Sequence, residues 1–199
     1  MTAKHAGLMA LVKDGVVTGI KGSGDIGETT IDTVAGTTAA AFKGASKIGT
    51  SAREATTDIA TGAIHGAAEV GAHLGNTAKG IVIGVLRGSE QTGREALDTI
   101  DHVAGVVIRH TAEVGGELGD AAAGLIAGAI QAAKETGLDA ENAASAAAHG
   151  ALRAADTVGS KALNTVRQAV TKIVSGTKVA LKEPFSSSAD GNDTDPSLR

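Results

Sequence analysis

Residues 71–93 read GAHLGNTAKGIVIGVLRGSEQTG: one glycine opens the segment and another closes it 22 positions later. Between them Gly80, Gly84 and Gly88 stand four residues apart. The outer spacing runs along the chain, through Gly27, Gly49, Gly71, Gly93, Gly115, Gly137 and Gly159, each 22 residues from the last. Fifteen residues after each comes a large apolar side chain: Phe42, Ile64, Leu86, Ile108, Ile130, Leu152 and Val174. An acid or amide column reads Asp32, Glu54, Asn76, Asp98, Asp120, Asn142 and Asn164. A mostly basic one reads Lys43, His65, Arg87, Arg109, Gln131, Arg153 and Ser175. Several columns agreeing at one period make this an internal repeat, which is read before anything else.

A unit of 22 residues is six turns at about 3.67 residues per turn, close to the natural 3.6 of an α-helix. Side chains one unit apart therefore return to nearly the same face. Ala-rich segments almost without Pro favour helix, although each interior Gly costs about 1 kcal/mol against Ala. A β-solenoid needs period-two alternation and turn clusters, and neither is visible. The fold expected is all-α: elongated amphipathic helical repeats, as a straight rod or folded back into a long hairpin or bundle. As one rod, residues 3–178 would extend about 260 Å at 1.5 Å per residue. The breaks are expected at Gly22-Ser23-Gly24, at Gly115-Gly116 and around Gly137. The organisation read from this is an N-terminal amphipathic segment and Gly hinge over 1–24, seven repeats over 25–178, and an acidic Ser/Asp-rich disordered tail over 179–199.

Composition supports a chain without an ordinary globular core. Of 199 residues 28 are Gly and 39 are Ala, against two Phe and no Trp or Tyr, and large aromatics normally supply much of a core's buried area. No basic surplus points to nucleic acid, the formal net charge being −4. The absence of Cys excludes a disulfide framework and thiolate metal sites. The longest apolar stretch, from Ala121 to Ile130, falls short of the roughly 20 residues a membrane span needs. The expected compartment is the cytoplasm, peripheral to a membrane or granule.

On a helical wheel the polar strip is narrow and the apolar and small surface wide. Ile59, Ile81, Val103 and Leu125 mark one stripe, and the Phe42 and Ile64 column sits apart from it. Something must cover that surface. Small residues four apart let helix backbones approach closely, which makes Gly62, Gly66, Gly71, Gly75, Gly80, Gly84, Gly88, Gly115, Gly119, Gly124 and Gly128 the candidate helix-packing positions. The partner helices can belong to the same chain or to another copy.

A lipid or polymer surface is another cover. Thr/Gly/Ala-rich runs such as residues 48–59, IGTSAREATTDI, resemble the style of proteins built from 11- or 22-residue helical repeats. Perilipins, exchangeable apolipoproteins, synucleins and granule-coating phasins are the lipid-facing members of that class. The resemblance spans residues 25–178 and implies amphipathic helices that coat a lipid membrane or a lipid or polymer granule. The chain departs from that style in lacking a Lys-rich strip and Pro punctuation. A third course, remaining unfolded until dried or bound as late-embryogenesis-abundant repeats do, ranks last, because those chains are far more hydrophilic than a mean hydropathy of +0.09.

Chemical motifs are few. Residues 22–27, GSGDIG, match GxGxxG after the strand-like Val16–Ile20, but no second strand follows and the repeat already accounts for Gly27. His65, Glu69 and His73 stand at i, i+4 and i+8, and His102 and His110 share that spacing without an acid, yet no closed ligand set is visible. Acid and base columns, Asp98 with Arg94 or Arg109 among them, read as exposed ion pairs. No nucleophile elbow or HExxH appears. Phe185 in the tail reads first as a stray exposed apolar residue and only second as a small docking point. The expectation is therefore a non-enzymatic structural protein with no catalytic residues, cofactor, metal or small-molecule substrate. It coats a lipid or granule surface, or assembles with itself into a helical scaffold or filament through the Gly/Ala ladders.

Overall fold

The computed structural model describes residues 3–23, 25–48, 51–89 and 93–177. The expected tail lies outside the described residues, as do Gly24, Gly49 and the side chains of Phe42, Lys43 and Val174. Eight helices succeed one another: α1 (Ala3–Ser23), α2 (Ile26–Ile48), α3 (Ala52–Glu69), α4 (Leu74–Ser89), α5 (Gly93–Glu113), α6 (Leu118–Thr136), α7 (Ala140–Val158) and α8 (Ser160–Thr177). No strand occurs among the described residues. The structure is all-α and built of helical repeats, as the period implied.

The period itself works differently from a continuous rod. From Gly71 on, each 22-residue unit is one helix closed by a turn that the recurring glycine makes, whereas Gly27 lies within α2. Gly71, Gly93, Gly115, Gly137 and Gly159 have φ of 67°, 58°, 72°, 74° and 141°, a region in which a Cβ is strained. The residue after the glycine donates its N–H back to the helix it has left: Ala72 to Ala67 O, Gly116 to Thr111 O and Leu138 to Ala133 O, at 2.8, 2.8 and 3.0 Å. Those bonds satisfy carbonyls that a helix end leaves unpaired. Breaks expected at Gly115-Gly116 and Gly137 are present, and Gly71, Gly93 and Gly159 add three more. Gly71 and Gly115 accordingly pack no helix, and a side chain there would meet open space. Their expected role in a packing ladder is corrected by their place in the turn.

Helix starts are also written locally. Ser51 and Glu54 form a capping box, each side chain accepting from the other's backbone N–H. Asp139 accepts from Asn142 N at 2.8 Å, and Asp25 from Glu28 N at 2.9 Å. Much of the acid and amide column thus belongs to first turns, where the helix dipole favours negative charge.

Successive helices reverse direction, so alternate helices lie parallel. The most extensive pairs are α2 with α4, α4 with α6, α5 with α7 and α1 with α3. Odd helices form one layer and even helices the other. Both apolar columns are consumed by this arrangement. Ile59, Ile81, Val103 and Leu125 are buried, and so are Ile64, Leu86 and Ile108 from the column that the helical wheel set apart. Ile130 and Leu152 of that column are half-buried. The wide apolar surface of each helix is covered by a neighbour in its own layer and another across the core.

Glycine sets the distance within a layer. A methyl group on Gly84 would come within 2.8 Å of the Ile31 carbonyl oxygen and 2.7 Å of Val34 Cβ, both on α2. Gly80 and Gly88 meet Thr30 and Thr38 of the same helix, at 2.8 and 2.6 Å from their Cβ atoms. Gly66 meets Lys13 O, and Gly128 meets Lys79 O, each at 2.7 Å. Gly62 lies against Met9 O and Gly124 against Gly75 O, while Gly75 itself approaches Asp120 O at 2.9 Å. Gly119 makes only ordinary contact, 3.7 Å from Thr165 Cγ2. Overfilling a packed site of this kind costs about 1–3 kcal/mol. Gly84→Leu is therefore expected to lower the thermal midpoint by about 4–10 °C. Gly36→Leu, on an exposed face of α2 with nothing near it, should leave the midpoint unchanged or raise it. Circular dichroism melts of the two variants check both.

Candidate functional site

One seam of the odd layer breaks the pattern, as α6 with α8 does in the even layer. In the odd layer α3 presents Gly62 and Gly66 to α1, and α7 presents Gly150 to the Asp101 carbonyl of α5. The positions 44 residues after Gly62 and Gly66, on α5, are Val106 and His110. The seam between α3 and α5 is accordingly bridged by side chains, and the two helices touch less extensively than α1 with α3 or α5 with α7. Bulk at a position where other helices have glycine is the reason.

Polar groups fill this seam. Near its middle His102 Nε2 lies 2.8 Å from Thr57 Oγ1, whose hydroxyl donates to the Arg53 carbonyl at 3.0 Å. Towards one end a cleft of about 210 Å³ is lined by Arg53, Thr56, Glu95, Asp98, Thr99 and His102. Towards the other end the rings of His65 and His110 face each other with centroids 5.7 Å apart and planes inclined by 59°. His110 Nδ1 also lies 2.6 Å from Glu113 Oε2, one helical turn on. Both imidazoles are half-buried and Glu113 is exposed. Burial above all pushes the His102 imidazole below its ordinary value, and the positive charges of Arg53 and Arg109 act in the same direction.

No family model matches the chain, and no curated protein matches it. Among solved structures it is similar to a de novo designed helical repeat protein, DHR7. The two superpose with a TM-score of 0.54 at 18% identity, over 87% of this chain and 96% of that one. The fold is a helical repeat. At this level of identity the likeness speaks of architecture alone.

Within the repeat the residues singled out from sequence separate. His65, Glu69 and His73 do not converge, because α3 ends at Glu69 and His73 lies beyond the turn. Glu69 pairs with Lys13 at 2.7 Å and His73 with Asp120 at 3.2 Å. The Lys13–Glu69 hydrogen bond raises the lysine's pKa and lowers the glutamate's. Basic-column residues pair across stacked helices. Arg87 grips Glu135 with two bonds of 2.7 and 3.0 Å, and Arg153 and His149 share Asp101. The segment Val16–Ile20, which a dinucleotide motif needs as a strand, is helical. An open groove of about 470 Å³ beside Gly27 is lined by Asp25, Glu28, Asn76, Lys79 and Gln131. No helix of the described residues is long and apolar enough to cross a membrane. The meeting of His65 with His110 was missed by sequence reasoning, although a signal exists. Their separation of 45 residues is two repeats and one residue, which joins consecutive helices of one layer.

The His102 environment has a consequence for pH. The unfolded ring titrates near 6.5, and the fold holds it neutral to lower pH. The stability this gives is full above about 6.5 and is lost as pH falls through the lower folded value. Thermal midpoints measured between pH 7.5 and 5 should decline, and His102→Gln should make the decline shallower. An identical slope in the variant would contradict this role for the ring.

Proposed function

We propose that this chain is a non-enzymatic helical scaffold that lengthens by head-to-tail association with further copies of itself. The observation that carries the reading is an unfilled repeat position. Gly36 and Ala40 of α2 are the 44-residue counterparts of Gly80 and Gly84, the residues on which α2 is seated. On α2 both are exposed. The first even-layer helix thus presents to solvent the small-residue face that α4 uses to receive a neighbour. Charge supports the same pairing: α2 also exposes Glu28 and Asp32, while α8 exposes Arg167, the counterpart of Lys79 in the column that faces the next helix of the layer. Stacking α8 of one copy on α2 of the next joins opposite charges and continues the even layer. Such a contact is heterologous and does not close on itself, so it generates filaments.

Coating a lipid or polymer granule is supported less well. Among the described residues only Leu11 and Val158 are large apolar side chains with substantial exposure, at 64% and 43%. A coat would have to open the helices to reveal the faces it needs.

Sedimentation velocity over a range of protein concentrations tests the reading. The mean mass should rise with concentration, fall back in 1 M salt because exposed charge pairs are screened, and stay monomeric for a Gly36→Lys, Ala40→Lys double variant that melts normally. A chain that remains monomeric throughout, and gains helix only when phospholipid vesicles are added, would overturn the scaffold in favour of the coat.

A further inference from the structure

His65, His110 and Glu113 form a group that neither repeat packing nor the scaffold requires. In the repeat register His110 stands 44 residues after Gly66 and 44 before Ala154. Gly66 nests on the Lys13 carbonyl, and Ala154 is buried in the core. An imidazole in this column holds α3 and α5 apart and meets a second imidazole from the opposite helix. Glu113, one turn after His110 on the same face, completes three donors from two helices. One ligand atom of each residue lies within 4.8 Å of those of the other two.

We propose that these three side chains bind a single zinc ion, which clasps α3 to α5. Two imidazoles and one carboxylate suit zinc and similar divalent transition ions, whereas calcium and magnesium favour all-oxygen sets. With metal–ligand bonds of about 2.0–2.2 Å, the donors of a tetrahedral site stand about 3.4 Å apart. Side-chain rotation alone covers that contraction. The exposed side of Glu113 leaves the fourth position to water. The coordinating imidazole nitrogens must carry no proton, so zinc takes the place of the 2.6 Å contact between His110 Nδ1 and Glu113 Oε2. The ion does for this seam what glycine nesting does for its neighbours, joining adjacent helices of one layer. The scaffold itself does not depend on it.

The test uses the full chain. Cobalt(II) titration monitored by visible absorption, then displacement by zinc and calorimetry with zinc chloride, should show one ion per chain. His65→Ala and His110→Ala should each weaken zinc binding at least about tenfold. His73→Ala and His149→Ala, whose rings pair with carboxylates elsewhere, should bind as the parent does. His110→Ala keeps the fold, because Ala is the residue its counterpart at 154 already carries, and a dichroism spectrum verifies this. Zinc should also raise the thermal midpoint of the parent and not of His110→Ala. The proposal fails if the parent binds no zinc at a one-to-one ratio. It fails equally if the His65 and His110 variants bind zinc as tightly as the parent.

Discussion

Backbone-to-backbone contact between parallel helices of one layer is the constraint on which the structure depends. Gly66, Gly84 and Gly128 each bring a helix so close to its neighbour that a methyl group would press on a carbonyl oxygen or a Cβ. Close approach lets Ala, Val and Ile fill the space between layers without large aromatics. Ala143, Ala147, Ala151 and Ala155 of α7 are all buried, and they can be core residues only where helices lie this near. The cost in helix propensity, about 1 kcal/mol for each interior glycine, is offset by packing along the whole seam. Buried threonines fit the same design, because Thr30, Thr56 and Thr77 return their hydroxyls to the carbonyl four residues back.

At the α3–α5 seam that constraint is relaxed. Val106 and His110 stand in the glycine column, and polar side chains enter between the helices. The cleft near His102 and the His65–His110–Glu113 group are both products of this one departure from the repeat. Chemistry in a repeat protein is found where the repeat is broken, since every regular position is committed to stacking. The exposed cross-helix ion pairs contribute little beside this, about 0–1 kcal/mol each. The bidentate Arg87–Glu135 pair holds register between α4 and α6.

Much of the fold was legible in the sequence, and its limits have a physical cause. The period, the helical class and the candidate glycines were all readable from spacing. The meaning of 22 was not, because six turns of continuous helix and five turns plus a tight reversal have the same length. Gly71 and Gly84 are identical letters with opposite tasks, one taking positive φ and the other admitting a neighbour's backbone. Only the handedness of the backbone separates them, and the sequence shows no φ. Pairing was illegible for a related reason. His65 and Glu69 share a helix and part company, since Lys13 draws Glu69 towards α1, while His110 reaches His65 from two helices along the chain.

Solution X-ray scattering tests the central claim most directly, because a stacked repeat and an extended helix differ severalfold in size. A compact domain of 199 residues has a radius of gyration of about 16 Å. A two-layer stack, longer in one direction, should give a monomer value of about 20 Å. A continuous rod of about 260 Å would give on the order of 75 Å. A value near 20 Å at low concentration agrees with glycine-closed helices nested within one chain. A value near that of the rod would contradict the nested fold at its root.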